Sequence, residues 1–386
     1  MRVSNGPVVV IFQHRLLHYR VELFEKLKTA CEGVDIKLRL VHGQASKAEK
    51  VRNDEGYIDW ADKVRNRYWR VGGRDILWQP TPPTCRSASM IVLMQENRIV
   101  SNYPYLFHTN GFSGKLGYWG HGLNFQSRAP NGLRERWKKS LINNVDWWFA
   151  YTNTTVEALQ SAGFPAERIS CLNNAVNTTE FRRLVSGVSD QEKSELRQSL
   201  GIPESAPIAV FCGSLYPDKR LELLLPSVEV ARKQVPGLQI IIIGDGPSEP
   251  MLRIEASTRP WCHLVGVKKG RDKALYFSLA KIMLNPGLLG LHVLDSFAAG
   301  LPLISTLDAA HSPEVAYVEN GVNGVLVENT PERYAAAICH LLGSEEGYKS
   351  VSDAALASAE HFSLDAMVRN FVGGLQSCLA LEPKRR

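Results

Sequence analysis

Ile208-Ala209-Val210-Phe211-Cys212-Gly213-Ser214-Leu215-Tyr216-Pro217-Asp218-Lys219 joins an apolar run to a glycine turn and a lysine, and four further segments follow it in fixed order. They are Ile242-Ile243-Gly244-Asp245-Gly246-Pro247, Val265-Gly266-Val267, the stretch 286–302, and Pro313-Glu314 followed by Asn320-Gly321-Val322-Asn323-Gly324. Short apolar runs bounded by glycine read as buried strands, and helix-length segments lie between them. The predicted strands here are 208–213, 238–243, 262–265, 281–285, 301–306 and 324–327, with helices over 220–234 and 291–299. Working outward, the first half repeats the alternation with strands at 7–12, 36–41, 89–94, 146–150 and 169–173. Strand-helix alternation is the pattern of a parallel α/β architecture.

At 386 residues, with 44% hydrophobic and 22% charged side chains, the chain has the length for two folded domains, each with its own core. The pattern restarts after the polar stretch 178–205, which carries a predicted helix from Asp190 to Leu200 ended by Gly201 and Pro203. The expected division is an N-terminal domain 1–180, a linker 181–205, a C-terminal domain 206–363 and a final helix 364–386. Val8-Val9-Val10-Ile11-Phe12 is too short to span a bilayer and lacks a signal-peptide core, so it reads as a strand. The 7 cysteines form no CxxC pair, which indicates neither a zinc site nor a disulfide framework. A cytoplasmic, reduced chain is expected.

Charge is uneven. Residues 1–150 hold 23 Lys and Arg against 13 Asp and Glu, whereas the chain as a whole carries only +6. Arg134-Glu135-Arg136-Trp137-Lys138-Lys139 opens a predicted helix with Trp137 and Leu141 four apart on one face. Two readings stand side by side: a surface resting peripherally on anionic lipid at the inner face of the membrane, and a solvated helix face with one buried tryptophan. No nucleic-acid partner is indicated.

An anionic group held at a site calls for donors and cations where its charge lies. A lysine and the free amides of a helix start supply these without a metal. Pro286-Gly287-Leu288-Leu289-Gly290-Leu291-His292-Val293-Leu294-Asp295 has the form of a strand, a glycine turn and a helix. Its amides at 289–291 would point at phosphate. A plain strand-turn-helix corner is the plainer alternative.

In their shared order, the five segments resemble the donor half of a retaining, nucleotide-sugar-dependent glycosyltransferase of family 4, the group 1 type, built on the GT-B fold. That resemblance implies two Rossmann-like α/β domains facing each other across a cleft, with the C-terminal helix returning to the first. It implies a nucleoside-diphosphate sugar as co-substrate, with UDP favoured and GDP or dTDP open, and no cofactor or metal. Lys219, with Arg220 beside it, would meet the diphosphate, and Gly213 and Ser214 line the same turn. Gly287, Leu289, Gly290 and Leu291 would surround the phosphates, and Asp295 would hydrogen-bond the ribose. Gly244 and Gly246 would lift the chain over the ligand crevice, the backbone at Val267 would meet the base, and Glu314 would lie near the donor, with helix capping as an equal alternative. His121, in Gly117-Tyr118-Trp119-Gly120-His121-Gly122, would orient the sugar or the acceptor.

The sequence departs from the family twice. The family's paired glutamates fall at Gly287 and Asp295, and the arginine that follows the family glycine is Ser214. Asn174-Ala175-Val176-Asn177 resembles the turn that closes the first domain. In that domain, Arg15, His18 and Arg20 are read equally as contacts to an acceptor phosphate and as helix-start surface groups. The segment from Arg52 to Trp60, with Asn66-Arg67-Tyr68-Trp69-Arg70 after it, is read as an acceptor loop or an irregular crossover. The expected activity is sugar transfer to a glycan or lipid-linked acceptor in cell-surface polysaccharide synthesis. The alternatives are a nucleotide-sugar 2-epimerase of the same fold and a binding protein that no longer turns over.

Overall fold

The computed structural model describes residues 6–52, 54–122 and 132–382. It divides into two compact units, residues 1–176 with 364–386, and residues 177–363.

The first unit is built on β1 (Val8–Gln13), β2 (Lys37–His42), β3 (Asp62–Lys63), β4 (Arg67–Val71), β5 (Arg74–Trp78), β6 (Met90–Met94), β7 (Lys115–Gly120), β8 (Trp147–Ala150) and β9 (Ile169–Cys171). Seven of these form one sheet in the order β3-β2-β1-β6-β7-β8-β9, with every pairing parallel. Both faces of β1 and β6 are buried, which explains their unbroken apolar runs.

β7 was not among the expected strands, because Gly117 and Gly120 interrupt its apolar pattern. Both sit close to neighbours: a Cβ on Gly120 would lie 2.7 Å from Gln95 Cβ, and one on Gly117 would lie 2.9 Å from Met90 Cε, the flexible end of a side chain. Residues 54–60 of the segment read as an acceptor loop or irregular crossover hold no helix or strand, whereas the 66–70 stretch after it leads into a regular hairpin. β4 and β5 pair antiparallel around Gly72-Gly73, whose φ angles of 55° and 77° are what a two-residue hairpin turn demands.

The final helix, Leu364–Ala380, belongs to this first unit. Phe371 stacks on Phe149 with centroids 4.5 Å apart and meets Trp119 edge-on at 5.2 Å. Gly374 lets the helix approach β9, since a Cβ would fall 2.3 Å from Ser170 Oγ.

The second unit begins at the Asn174–Asn177 turn. The Asn177 side chain accepts the Glu180 amide at 2.9 Å and caps the helix Thr178–Ser186. The helix Asp190–Leu200 carries a capping box from Ser189 and Glu192, and ends at Gly201 in the left-handed region with φ 67°. The stretch expected as a linker therefore folds as helices of this unit. Its sheet comprises β10 (Ile208–Cys212), β11 (Gln239–Ile243), β12 (Cys262–Gly266), β13 (Ile282–Asn285), β14 (Leu303–Thr306) and β15 (Gly324–Val327). The order is β12-β11-β10-β13-β14-β15, all parallel. Ile240, Ile242, Leu284, Leu224, Val228, Tyr334 and Ile338 contribute to its core.

Candidate functional site

In a doubly wound sheet, ligands bind outside the carboxyl ends of the strands where the strand order reverses. In the second unit that point lies between β10 and β13. The turn after β10, Pro217–Lys219, meets the turn after β13 there. Leu288 N donates to Asp218 O at 2.8 Å, and Lys219 Nζ donates to Leu288 O. Lys219 is 6% exposed, and burial pushes its ammonium down to about 8, partly opposed by Asp218. Among the described residues it forms no ion pair with a carboxylate.

Position 287, where the resemblance expects a glutamate, has no room for a side chain. A Cβ at this position would fall 2.2 Å from the Lys219 carbonyl carbon and 2.3 Å from Asp218 O. The two turns are packed too tightly for any side chain at 287.

The expected row of free amides is shorter than the sequence suggests. Leu289 N donates to His311 Nδ1 at 3.1 Å, so it is not available, and the Leu289 side chain is buried in the core. Gly290 N and Leu291 N have no protein acceptor among the described residues, and they precede the helix His292–Ala298. His311 Nε2 in turn lies 2.6 Å from Thr306 O, and Thr306 Oγ1 donates to Pro286 O at 2.6 Å. With Nδ1 accepting and Nε2 donating, His311 is the neutral Nε2–H tautomer, and burial holds its pKa below the usual value. Ser312 N bonds Leu289 O at 3.0 Å, which carries Glu314, 4% exposed, into the short turn Pro313–Tyr317.

Asp295 does not stand alone. Its Oδ1 is 2.8 Å from Lys273 Nζ, which also lies 4.3 Å from the centre of the Phe181 ring. The Cys212 thiol, raised to about 12 chiefly by burial, feels Asp295, Lys273 and Lys219 together, so these charges surround the end of β10. His292, partly buried, is held well below its usual pKa by burial and by both lysines. Its Nε2 lies 2.6 Å from Asn285 Nδ2.

Several expected residues have other partners. Arg220, left-handed at φ 51°, pairs with Asp308 at 2.8 Å and reaches Asp308 O at 3.2 Å, so it braces the 306–311 loop. Gly244 and Gly246 serve a neighbouring loop: a Cβ would meet Gly213 O at 1.9 Å and Leu215 O at 2.6 Å respectively. Ser214 is exposed beside Gly213, and Val267 is exposed after β12.

Lys273 and His311 received no role from the sequence. Lys273 lies on the helix Gly270–Leu279, and His311 lies three residues before Glu314. Contacts 22 residues away give each its place, and no local pattern encodes them.

In the first unit, the reversal lies between β1 and β6. His14, after β1, sits 3.4 Å from Glu49 and 3.3 Å from Glu96, and Arg98 bonds both carboxylates at 2.9 and 2.6 Å. The carboxylates raise the His14 pKa despite burial. Arg15 pairs with Asp54, and His18 Nδ1 lies 3.2 Å from Asp54 O. These two residues therefore clasp the 52–60 segment. His121 is exposed and packs on Tyr151 with ring centroids 4.2 Å apart. Trp137 is half exposed, grouped with Tyr103 and Phe107 at about 6.1–6.2 Å, whereas Leu141 is buried. The side chains of Arg134, Glu135 and Lys138 lie outside the described residues.

Among the described residues, no cluster of His, Cys, Asp and Glu could hold a metal ion, and all 7 cysteines are free. No helix among them is long and apolar enough to cross a membrane.

Residues 206–344 match the family described as glycosyl transferases group 1. Alpha-monoglucosyldiacylglycerol synthase of Acholeplasma laidlawii is 25% identical over 203 residues, 51% of this chain and 50% of the relative. The chain thus spans about half the length of the first curated relatives it matches. A D-inositol 3-phosphate glycosyltransferase of a Nocardioides species is 22% identical across 91% of this chain and 82% of its own. Among solved structures, Anabaena HepE in complex with UDP superposes with a TM-score of 0.69 at 14% identity, over 96% of this chain and all of that one. A Rickettsia africae glycosyltransferase gives 0.70 at 13% identity, over 97% and 99%. The chain has the GT-B fold.

Proposed function

We propose that this protein is a retaining, metal-independent glycosyltransferase that moves a sugar from a nucleoside-diphosphate sugar to a glycan or lipid-linked acceptor. The observation that carries the proposal is Lys219 at the strand-order reversal of the second unit, a buried cation with no ion pair among the described residues, bonded to Leu288 O just ahead of the Gly290 and Leu291 amides. A dianionic leaving group supplies the charge that this cation lacks, and amides without a protein acceptor among the described residues are donors it could take. Asp295, held by Lys273, takes the ribose hydroxyls, and Glu314 lies near the donor. Lys273 also restores the second cation that Ser214 removes. UDP is the favoured nucleotide, in keeping with the UDP held by the HepE structure, with GDP and dTDP as alternatives. The acceptor hydroxyl attacks the face that the diphosphate leaves, and a phosphate oxygen takes its proton.

The first unit receives the acceptor, with His121 at its exposed edge. The exposed Trp137 and Phe107, grouped with half-buried Tyr103 and next to Arg136 and Lys139, support peripheral placement on an anionic leaflet from the cytoplasmic side. Salt-sensitive sedimentation with anionic vesicles, reduced by Trp137→Ser, is expected; indifference to vesicles would point to a soluble acceptor.

A second reading is favoured by one observation. The turn at Gly287 excludes the glutamate that would contact the transferred hexose, which suits a protein that binds nucleotide sugar without turnover. Purified protein is screened without metal against UDP-, GDP- and dTDP-sugars, following release of nucleoside diphosphate with and without acceptors. Acceptor-stimulated release abolished by Lys219→Ala supports the transferase; tight binding without release under any acceptor supports the binding protein.

A further inference from the structure

Arg20 is a buried cation of the first unit, 5% exposed, that forms no ion pair among the described residues. Its neighbours are neutral: Nη2 donates to Tyr151 Oη at 2.7 Å, Nε to Tyr19 Oη at 3.4 Å and Nη1 to Gln13 Oε1 at 3.5 Å. The guanidinium carbon sits 4.3 Å from the centre of the Trp119 ring. These neutral surroundings contrast with those of Arg15 and Arg98, each bound to acidic side chains.

Donor protons are also in excess around it. A guanidinium has five N–H groups, and three contacts leave some unused. The Tyr151 hydroxyl accepts from Arg20, which leaves its own proton without an acceptor among the described residues. The buried Trp119 indole N–H has no acceptor among the described residues. A buried cation ringed by unused donors is unfavourable without an anion, whereas an oxyanion accepts from all of them. Half-buried Tyr19 bonds the guanidinium, and exposed His121 packs on the Tyr151 ring.

We propose that Arg20, Tyr151 and Trp119 form an oxyanion site in the first unit that takes a phosphoryl or carboxyl group of the acceptor. The proposal rests on the first unit being the acceptor half. Binding is measured without donor, so a failed transfer assay and a failed anion site are separate outcomes.

Glucose 1-phosphate, glucuronic acid and glucose serve as probes, titrated calorimetrically into the full chain. The phosphate or the uronic acid is expected to bind at least tenfold more tightly than glucose, and whichever of the two binds names the source of the oxyanion. Arg20→Gln should erase that preference, and Arg20→Lys should keep part of it. Arg39→Gln, which removes a cation paired with Asp62 elsewhere in the unit, should leave it intact. Equal affinity for all three probes, or a preference that survives Arg20→Gln, overturns the proposal. Should Arg20→Gln fail to fold, the wild-type protein labelled at arginine answers alone. The Nε–Hε resonance lost in Arg20→Lys must shift on adding the charged probe, and a fixed resonance overturns the site.

Discussion

Replacing Gly287 with alanine should separate a turn that needs glycine from one that merely contains it. The added Cβ would stand 2.2 Å from the Lys219 carbonyl carbon, 2.3 Å from Asp218 O and 2.4 Å from Lys219 Cα. All three are backbone atoms, so no side chain can rotate away. Carbon atoms rest at about 3.5–4.0 Å, which means the two turns must part by more than ~1 Å. Overpacking of this kind costs about 1–3 kcal/mol. Parting the turns also breaks the Leu288 N to Asp218 O bond, worth about 1 kcal/mol net, and draws Lys219 Nζ from Leu288 O. The sum is about 2–4 kcal/mol. Gly290→Ala is the matched control, since its Cβ would meet only Ser312 Oγ at 3.9 Å. That change should fall within about 0.5 kcal/mol of wild type. Hydrogen exchange of the buried β10 and β13 amides in dilute urea reports opening of the second unit by itself. If Gly287→Ala protects these amides as well as Gly290→Ala does, the close approach of the two turns is wrong. The argument for the missing glutamate then fails with it.

Other outcomes follow from the same site. Lys219 is charged below about 8 and neutral above it, so nucleoside diphosphate affinity measured by calorimetry should fall as pH rises from 7 to 9. Lys219→Arg should flatten that profile, because a guanidinium stays charged throughout. Lys273→Met leaves the Asp295 carboxylate partly buried without its partner. It should cost about 1–3 kcal/mol by urea unfolding, less than a fully buried pair would, and Lys273→Met with Asp295→Asn should recover part of that loss. His292 and His311 both have folded pKa values below the unfolded 6.5. Their contribution is complete above 6.5 and is lost as pH falls toward the folded values. Exchange at 282–312 should therefore quicken below pH 6.5, before the carboxylates titrate, and a rate unchanged down to pH 5 would contradict the neutral tautomer of His311.

The sequence by itself determined the strands of the second sheet, the helix Asp190–Leu200 and the final helix, because each is declared by local pattern. Four isoleucines bounded by glycine can only be satisfied with both faces covered, and a capping serine with Gly201 marks its own helix. The position of the candidate site was legible in the same way, since its glycine turns and Lys219 follow the strands in order. β7 was hidden because its glycines, close against Gln95 and Met90, erase the period that announces a strand. What only the tertiary structure decided is which groups face one another. Asp295 with Lys273, the Leu289 amide with His311, Arg220 with Asp308 and Gly287 against Lys219 are contacts between segments far apart in the chain. So is the burial of Arg20 without an ion pair among the described residues. Local sequence sets backbone preference through short-range sterics and capping, whereas charge pairing, desolvation and close approach depend on what packing brings alongside.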